Sequence, residues 1–278
     1  MNKTIGIIGL GLIGGSIARA IKANTGNIVF GLDINENVLA QAIAQNAIDK
    51  IMTIDELNKC DTIIVALYPN DTIEFVKKHI DKFKKGTVII DCAGVKSNIC
   101  KALSEYVNER GLYFIGGHPM MGIEKSGFEN SFAHLFDGAT MILCKDEFTN
   151  IIALKSAEML FTSIGFLKIT ITTANEHDKI IAFTSQLAHI VANAYIKSES
   201  AKMQVGFSSG SYKDMTRVAF LNENMWTELF LENRNYLTLE IDFLIEQLKK
   251  YSETLKNNDT EKLKTLLTEG KKAKMANG

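Results

Sequence analysis

Proline is almost absent from this chain of 278 residues, occurring only at Pro69 and Pro119. Proline is the strongest helix breaker, so its scarcity leaves long helices permitted. Cysteine is sparse too. Cys60, Cys92, Cys100 and Cys144 form no CxxC pair and have no histidine beside them. That spacing excludes a disulfide framework and a zinc site, and no metal is expected. An excess of either charge is missing: 31 basic against 32 acidic residues leave a formal net charge of -1. The chain therefore has no bulk charge with which to grip nucleic acid or an anionic membrane. Long apolar runs are missing as well. The early run from Ile5 to Ala18 is interrupted by five glycines and falls short of the ~18 residues of a spanning helix. Those glycines also occupy the place of a signal peptide's apolar segment. The expectation is a cytoplasmic protein with no nucleic-acid or membrane partner.

What is present is ordinary globular composition, 46% apolar and 23% charged, which argues against disorder. The length suggests two domains, at ~150 residues each. The first part alternates short apolar runs with amphipathic stretches. Thr4–Ile8, Ile28–Leu32, Asp61–Leu67, Thr87–Asp91, Tyr113–Ile115, Thr140–Cys144 and Phe166–Ile171 read as strands. Continuous apolar runs suit strands covered on both faces. Helical patterns fall between them at Gly14–Lys22, Glu36–Gln45, Asp71–Phe83 and Asn98–Glu109. Strand–helix alternation predicts an α/β fold, an N-terminal Rossmann-type doubly wound sheet. From about Thr173 onward strand signals stop. Long helices are expected over Glu176–Glu199, Met225–Lys249 and Thr260–Lys274. The predicted division is residues 1–173 as a cofactor-binding domain and 174–278 as an all-α domain for substrate or dimerisation.

Residues 5–18 read IGIIGLGLIGGSIA, in which Gly9, Gly11 and Gly14 form GxGxxG between a strand and a helix. In this pattern the first glycine makes a tight turn and the second lets a pyrophosphate approach the backbone. The third lets helix and strand pack closely. The N–H groups that open the helix, around Leu12 and Ile13, then face the phosphates. Asp33 follows the second strand at the distance of a ribose-binding carboxylate. Its charge repels a 2′-phosphate, and Ile34 and Asn35 supply no arginine to hold one, which favours NAD over NADP.

Ligands of such sheets bind at the carboxyl ends of the strands. Tyr68-Pro69-Asn70, the segment Asp91 to Lys96 and the segment Gly116 to Gly122 lie there. The last places His118 beside the cofactor crevice in a loop of glycines and one proline. It reads either as a base for a substrate hydroxyl or as a loop residue bonded to backbone. In the helical half, Arg217 reads either as a carboxylate clamp or as one end of a solvated salt bridge.

Taken together, several segments resemble prephenate dehydrogenases. They are IGLGLIGGS, Asp33, D-x-x-G-V-K at Asp91–Lys96, GGHPMMGIEKSGFE at Gly116–Glu129, HDKIIAFTSQLAH at His177–His189, and YKDMTRVAFLNENMWTELFLEN at Tyr212–Asn233. The resemblance covers nearly the whole chain in order. It implies oxidation of prephenate with NAD and release of carbon dioxide, giving 4-hydroxyphenylpyruvate on the route to tyrosine. It implies His118 as the catalytic base, Arg217 on a substrate carboxylate and His189 near the substrate side chain. Glu124 would orient or gate the site. Trp226 would be a pocket wall or a core aromatic, and Tyr68 and Pro69 would border the cofactor. A homodimer through the helical half is implied. So is a monofunctional enzyme, with room for neither a regulatory ACT domain nor a chorismate mutase domain.

Two positions depart from the family pattern. Gly94 stands where many members carry a serine, and Gln186 where a second histidine is expected at the start of the SxLxH motif, next to Ser185. Both bear on the substrate-binding expectation and leave prephenate and its amino analogue arogenate as alternatives. A two-domain dehydrogenase of the β-hydroxyacid type and a non-catalytic NAD-binding sensor are the competing readings.

Overall fold

The computed structural model describes residues 2–123 and 125–277. Eight strands form one sheet in the order β3-β2-β1-β4-β5-β6-β7-β8. They are β1 (Thr4–Ile8), β2 (Ile28–Leu32), β3 (Lys50–Ile51), β4 (Thr62–Val65), β5 (Val88–Asp91), β6 (Tyr113–Pro119), β7 (Thr140–Cys144) and β8 (Lys168–Thr172). All neighbours pair in parallel except β6 and β7. The chain leaves β1 to one side and later returns to its other side at β4. That reversal opens the crevice in which doubly wound sheets bind nucleotides.

Alternation along the strands distributes two cores. Ile5, Ile7, Ile64 and Ile90 face one side, against Ile17 and Ile21 of α1 (Leu12–Asn24) and Leu154 and Phe161 of α5 (Ile151–Ser163). Ile8, Ile63, Val65 and Ile89 face the other. There they meet Val76 of α3 (Pro69–Lys78) and Ile99, Leu103 and Val107 of α4 (Ser97–Asn108). Each fully buried side chain of this size stabilises the fold by ~1.5–3 kcal/mol. On the first side, α2 (Glu36–Ala44) adds Leu39 and Ala42. The helix α5 was not anticipated. Ile151, Ile152 and Met159 stay exposed beside its buried face, and this blurs the helical period in the sequence.

Beyond β8, Thr173 caps α6 (Ala174–Ile181) through a reciprocal bond with Glu176. The helix passes through a π turn at Ala182–Leu187 into α7 (Ala188–Tyr195). Next come α8 (Gly210–Thr216), α9 (Glu223–Glu232), α10 (Arg234–Lys256) and α11 (Thr260–Asn277). The single helix expected over 225–249 is broken at Asn233. Its buried amide donates to the Asp178 carbonyl at 2.8 Å and to Gln186 Oε1 at 2.7 Å. A tertiary bond there overrides local periodicity. Among the described residues no helix is long and apolar enough to cross a membrane.

His118 lies on a strand and not in the loop expected from the sequence. β6 continues to Pro119 because its second half pairs antiparallel with β7, with His118 opposite Ile142. Gly117 makes this path possible, since a Cβ there would lie 2.4 Å from the Asp91 carbonyl oxygen. Below it, the Lys96 ammonium is fully buried, bonded to the Asp91 carboxylate and, at 2.7 Å, to the Gly117 carbonyl. Asp91 in turn accepts from the backbone N–H groups of Ala93 at 3.0 Å and Gly117 at 3.1 Å. Two buried charges are tolerable only when paired and fully hydrogen-bonded. Lys96→Met should therefore cost ~3–5 kcal/mol, the penalty for stranding one buried charge. Urea unfolding of the variant against the parent chain measures it.

Candidate functional site

The cofactor crevice is built from backbone. Gly9 has φ +83°, and a Cβ there would meet the Ala66 carbonyl at 2.7 Å. A Cβ on Gly14 would come within 1.9 Å of the Gly9 carbonyl, while Gly11 has open space in front of it. No side chain caps α1 at Gly11, and its first turn carries no acid, so the N–H groups of Leu12 and Ile13 face no competing carboxylate. Asp33 closes β2, accepting from Leu10 N at 2.7 Å and Asn35 N at 2.9 Å. Beside it lies a cavity of about 450 Å³ lined by Gly9, Asp33, Ile34, Ile54, Leu67 and Phe75. Asp71, Glu74, Lys78 and His79 of α3 and its end complete the lining. The glycine cradle, the uncapped helix and a cavity with apolar walls and Asp33 at the end of β2 fit a dinucleotide. Pro69 opens α3 and Tyr68 precedes it, on the side facing the helical domain. There Glu228 of α9 accepts from Asn70 N at 2.7 Å.

Across the crevice the structure assembles a chain of polar groups. His118 Nδ1 lies 2.8 Å from His177 Nε2. His177 Nδ1 lies 2.7 Å from Asp178 Oδ1. Asp178 also accepts from Lys96 N at 2.8 Å and Ser97 N at 2.7 Å, the first N–H groups of α4. Burial pushes the His118 imidazole well below its ordinary pKa, helped by His177 and the Lys96 charge. Burial lowers His177 as well. Both rings are thus held neutral near pH 7. Among the described residues His118 Nε2 makes no hydrogen bond, and a Cβ on Gly94 would lie 3.9 Å from it. The position that departs from the family pattern therefore adjoins the free nitrogen. Leu229 packs against Gly94, at 3.3 Å from such a Cβ.

The helical domain supplies a second group. His189 stacks on Trp226 with ring centroids 4.1 Å apart, and Trp226 meets Phe230 at 5.2 Å. His189 Nδ1 donates to the carbonyl of Ser185, in the π turn, at 2.8 Å. Burial lowers the His189 pKa, and the charge of Arg217 at the end of α8 lowers it further. Arg217, His189 and Trp226 are therefore brought together. Gln186 is not. It is 1% exposed, donates to the Leu229 carbonyl at 3.0 Å and accepts from Asn233. Its amide ties the π turn to α9 and α10 from inside the helical half, and the structure does not place it with Arg217, His189 and Trp226. Glu124 lies outside the described residues.

The sequence reading left the pair His177-Asp178 without a role. Only the fold joins His118 and His177, 59 positions apart. The available signal was a histidine followed by an aspartate at the start of a helix packed on the strand ends.

Comparison with known proteins agrees with this architecture. Residues 17–169 match the model of the prephenate dehydrogenase nucleotide-binding domain, and residues 173–269 that of the prephenate dehydrogenase dimerization domain. A cyclohexadienyl dehydrogenase of Zymomonas mobilis is 31% identical, over 99% of this chain and 96% of its own length. A prephenate dehydrogenase of Lactococcus lactis is also 31% identical, over 99% of this chain and 77% of its own. The crystal structure of prephenate dehydrogenase from Aquifex aeolicus, in complex with hydroxyphenyl propionate and NAD+, superposes with a TM-score of 0.86. It is 25% identical and covers 100% of this chain and 99% of its own. Two consecutive domain matches and relatives aligned along nearly the full chain lead to one conclusion: the chain belongs to the prephenate dehydrogenase family.

Proposed function

We propose that this chain oxidises prephenate with NAD and releases carbon dioxide, giving 4-hydroxyphenylpyruvate. The observation that carries this reading is the neutral His118, with Nδ1 engaged and Nε2 free, at the edge of a dinucleotide crevice. Residues 1–173 would hold the cofactor, with Gly9, Gly11, Gly14 and the N–H groups of Leu12 and Ile13 on the pyrophosphate and Asp33 on the ribose. Bound NAD supplies the hydride acceptor.

His118 Nε2 accepts the proton of the ring hydroxyl as hydride leaves the same carbon, and a carbonyl forms. The bond to the ring carboxylate then breaks, and its electron pair makes the ring aromatic. The phenolic oxygen needs a proton, which the His118 imidazolium returns. His118 is thus base and then acid, and no net proton is released. Arg217 faces a substrate carboxylate with a charge-assisted bond, and Trp226 and His189 wall the pocket.

A second reading, arogenate as substrate, is favoured by one feature. Because His189 Nδ1 donates to Ser185, its neutral ring offers Nε2 as an acceptor, which complements an ammonium group better than a keto oxygen.

Purified chain with prephenate or arogenate and NAD should produce NADH absorbance, and the ratio of kcat/KM decides the substrate. No signal with either overturns the reading. His118→Asn should lower kcat by ~100-fold or more. Since the base works neutral and its pKa is lowered, kcat/KM should hold as pH falls through 6.5 and decline only below it. An acid limb above pH 6.5 would contradict this assignment of the base. The helical domain exposes Met203, Val205, Phe207, Phe220, Leu239 and Phe243, large apolar side chains of the kind a partner subunit covers. We assign it to a homodimer. Light scattering should give about twice 30.8 kDa, and a mass near 30.8 kDa would reject the dimer.

A further inference from the structure

Resting on the dehydrogenase reading above, we infer that His177 and Asp178 are positioning residues. They fix the tautomer of His118 that can act as a base, and they do so because the helical domain is docked on α4.

Asp178 carries three donors on its two oxygens. Oδ1 faces Lys96 N at 2.8 Å and His177 Nδ1 at 2.7 Å, and Oδ2 faces Ser97 N at 2.7 Å. Both backbone groups open a helix of 12 residues, where negative charge is stabilised. Burial pushes the Asp178 pKa up, yet the bonds from His177 and Ser97 hold it below the usual carboxylate range. The carboxylate is therefore ionised and has no proton to donate. His177 Nδ1 must be the donor in their contact. His177 is 2% exposed and held neutral by burial, so its Nε2 carries only a lone pair. His118 Nδ1, 2.8 Å away, must then carry hydrogen. A neutral His118 with hydrogen on Nδ1 has its lone pair on Nε2, the atom beside Gly94. Each protonation state follows from the one before it.

When Nε2 takes a proton, the new charge on His118 lies one ring from the Asp178 carboxylate. It is offset without any group moving. Remove His177, and His118 is free to carry its hydrogen on Nε2, where it blocks the lone pair that the reaction needs. His177 itself is too enclosed to touch a substrate.

The chain also crosses between the halves of the protein. His177 and Asp178 belong to α6, whereas Lys96, Ser97 and His118 belong to the sheet domain. Asp178 reaches 82 positions back in sequence to Lys96. The tautomer of the base therefore depends on the seating of the helical domain.

The test is ring-nitrogen NMR on the full chain with labelled histidine, where the five rings are few enough to resolve and His118→Gln assigns the His118 signals. The wild type should show His118 with Nδ1 protonated and Nε2 bare. In His177→Leu the Nε2-protonated form should appear, and kcat should fall by ~10²–10⁴-fold, the range for loss of a positioned base. His177→Gln, whose amide oxygen can accept from His118 Nδ1, should keep the native tautomer and stay within ~10-fold of wild-type kcat. The KM for NAD should be unchanged in both. A wild-type His118 protonated on Nε2 overturns the inference without any variant. So does a His177→Leu chain with native tautomer and native kcat, or a His177→Gln chain as impaired as His177→Leu. The NMR reading needs no substrate. If neither prephenate nor arogenate is turned over, the dehydrogenase reading fails and the tautomer assignment is still decided.

Discussion

The carboxylate of Asp178, seated on the first N–H groups of α4, is the contact on which the arrangement of this protein turns. Through it the helical domain grips the sheet domain by charge. The Asn70–Glu228 bond repeats the device at the start of α3. In both cases an acid from the helical half meets the positive end of a helix from the sheet half. Both helices begin just past strand carboxyl ends, so the grip falls on the rim of the cofactor crevice. The site lies between two bodies fastened at its own edge.

A site of this kind needs charges where water is scarce. Lys96 and Asp91 illustrate how that is made tolerable. Both side chains are fully buried, they bond each other, and the backbone of Gly117 engages both. The positive charge left near His118 has a chemical consequence: with burial and His177 it depresses the imidazole pKa and keeps the ring unprotonated. One of the groups that hold β5 and β6 together under the site thus adds to the burial that keeps the His118 ring neutral. Gly117 is small for the same reason, because any side chain would intrude on the Asp91 carbonyl.

The helical half carries one irregular turn beside His189. Within the π turn at Ala182–Leu187 the Ser185 carbonyl accepts from both the Ala188 N–H and His189 Nδ1. Such turns recur at functional sites, because one extra residue per turn redirects the side chains that follow. Gln186 sits within that turn and points inward, tied to Leu229 and Asn233. It ties the turn before His189 to the helices packed on it.

The sequence alone determined the strand–helix alternation, the glycine turn with Asp33, and the candidacy of His118 and Arg217. These rest on local pattern: apolar periodicity, backbone space and residue chemistry at fixed spacing. It also carried the family resemblance, because motif order is itself a linear property. Tertiary structure decided what depends on partners distant in the chain. β6 runs on through His118 because β7 lies beside it. The helix after Met225 breaks at Asn233 because a buried amide finds Asp178 and Gln186. His177 gained a role because folding placed it 2.8 Å from His118. Hydrogen bonds act over about 3 Å in space and are indifferent to separation along the chain, so no spacing rule could have found them.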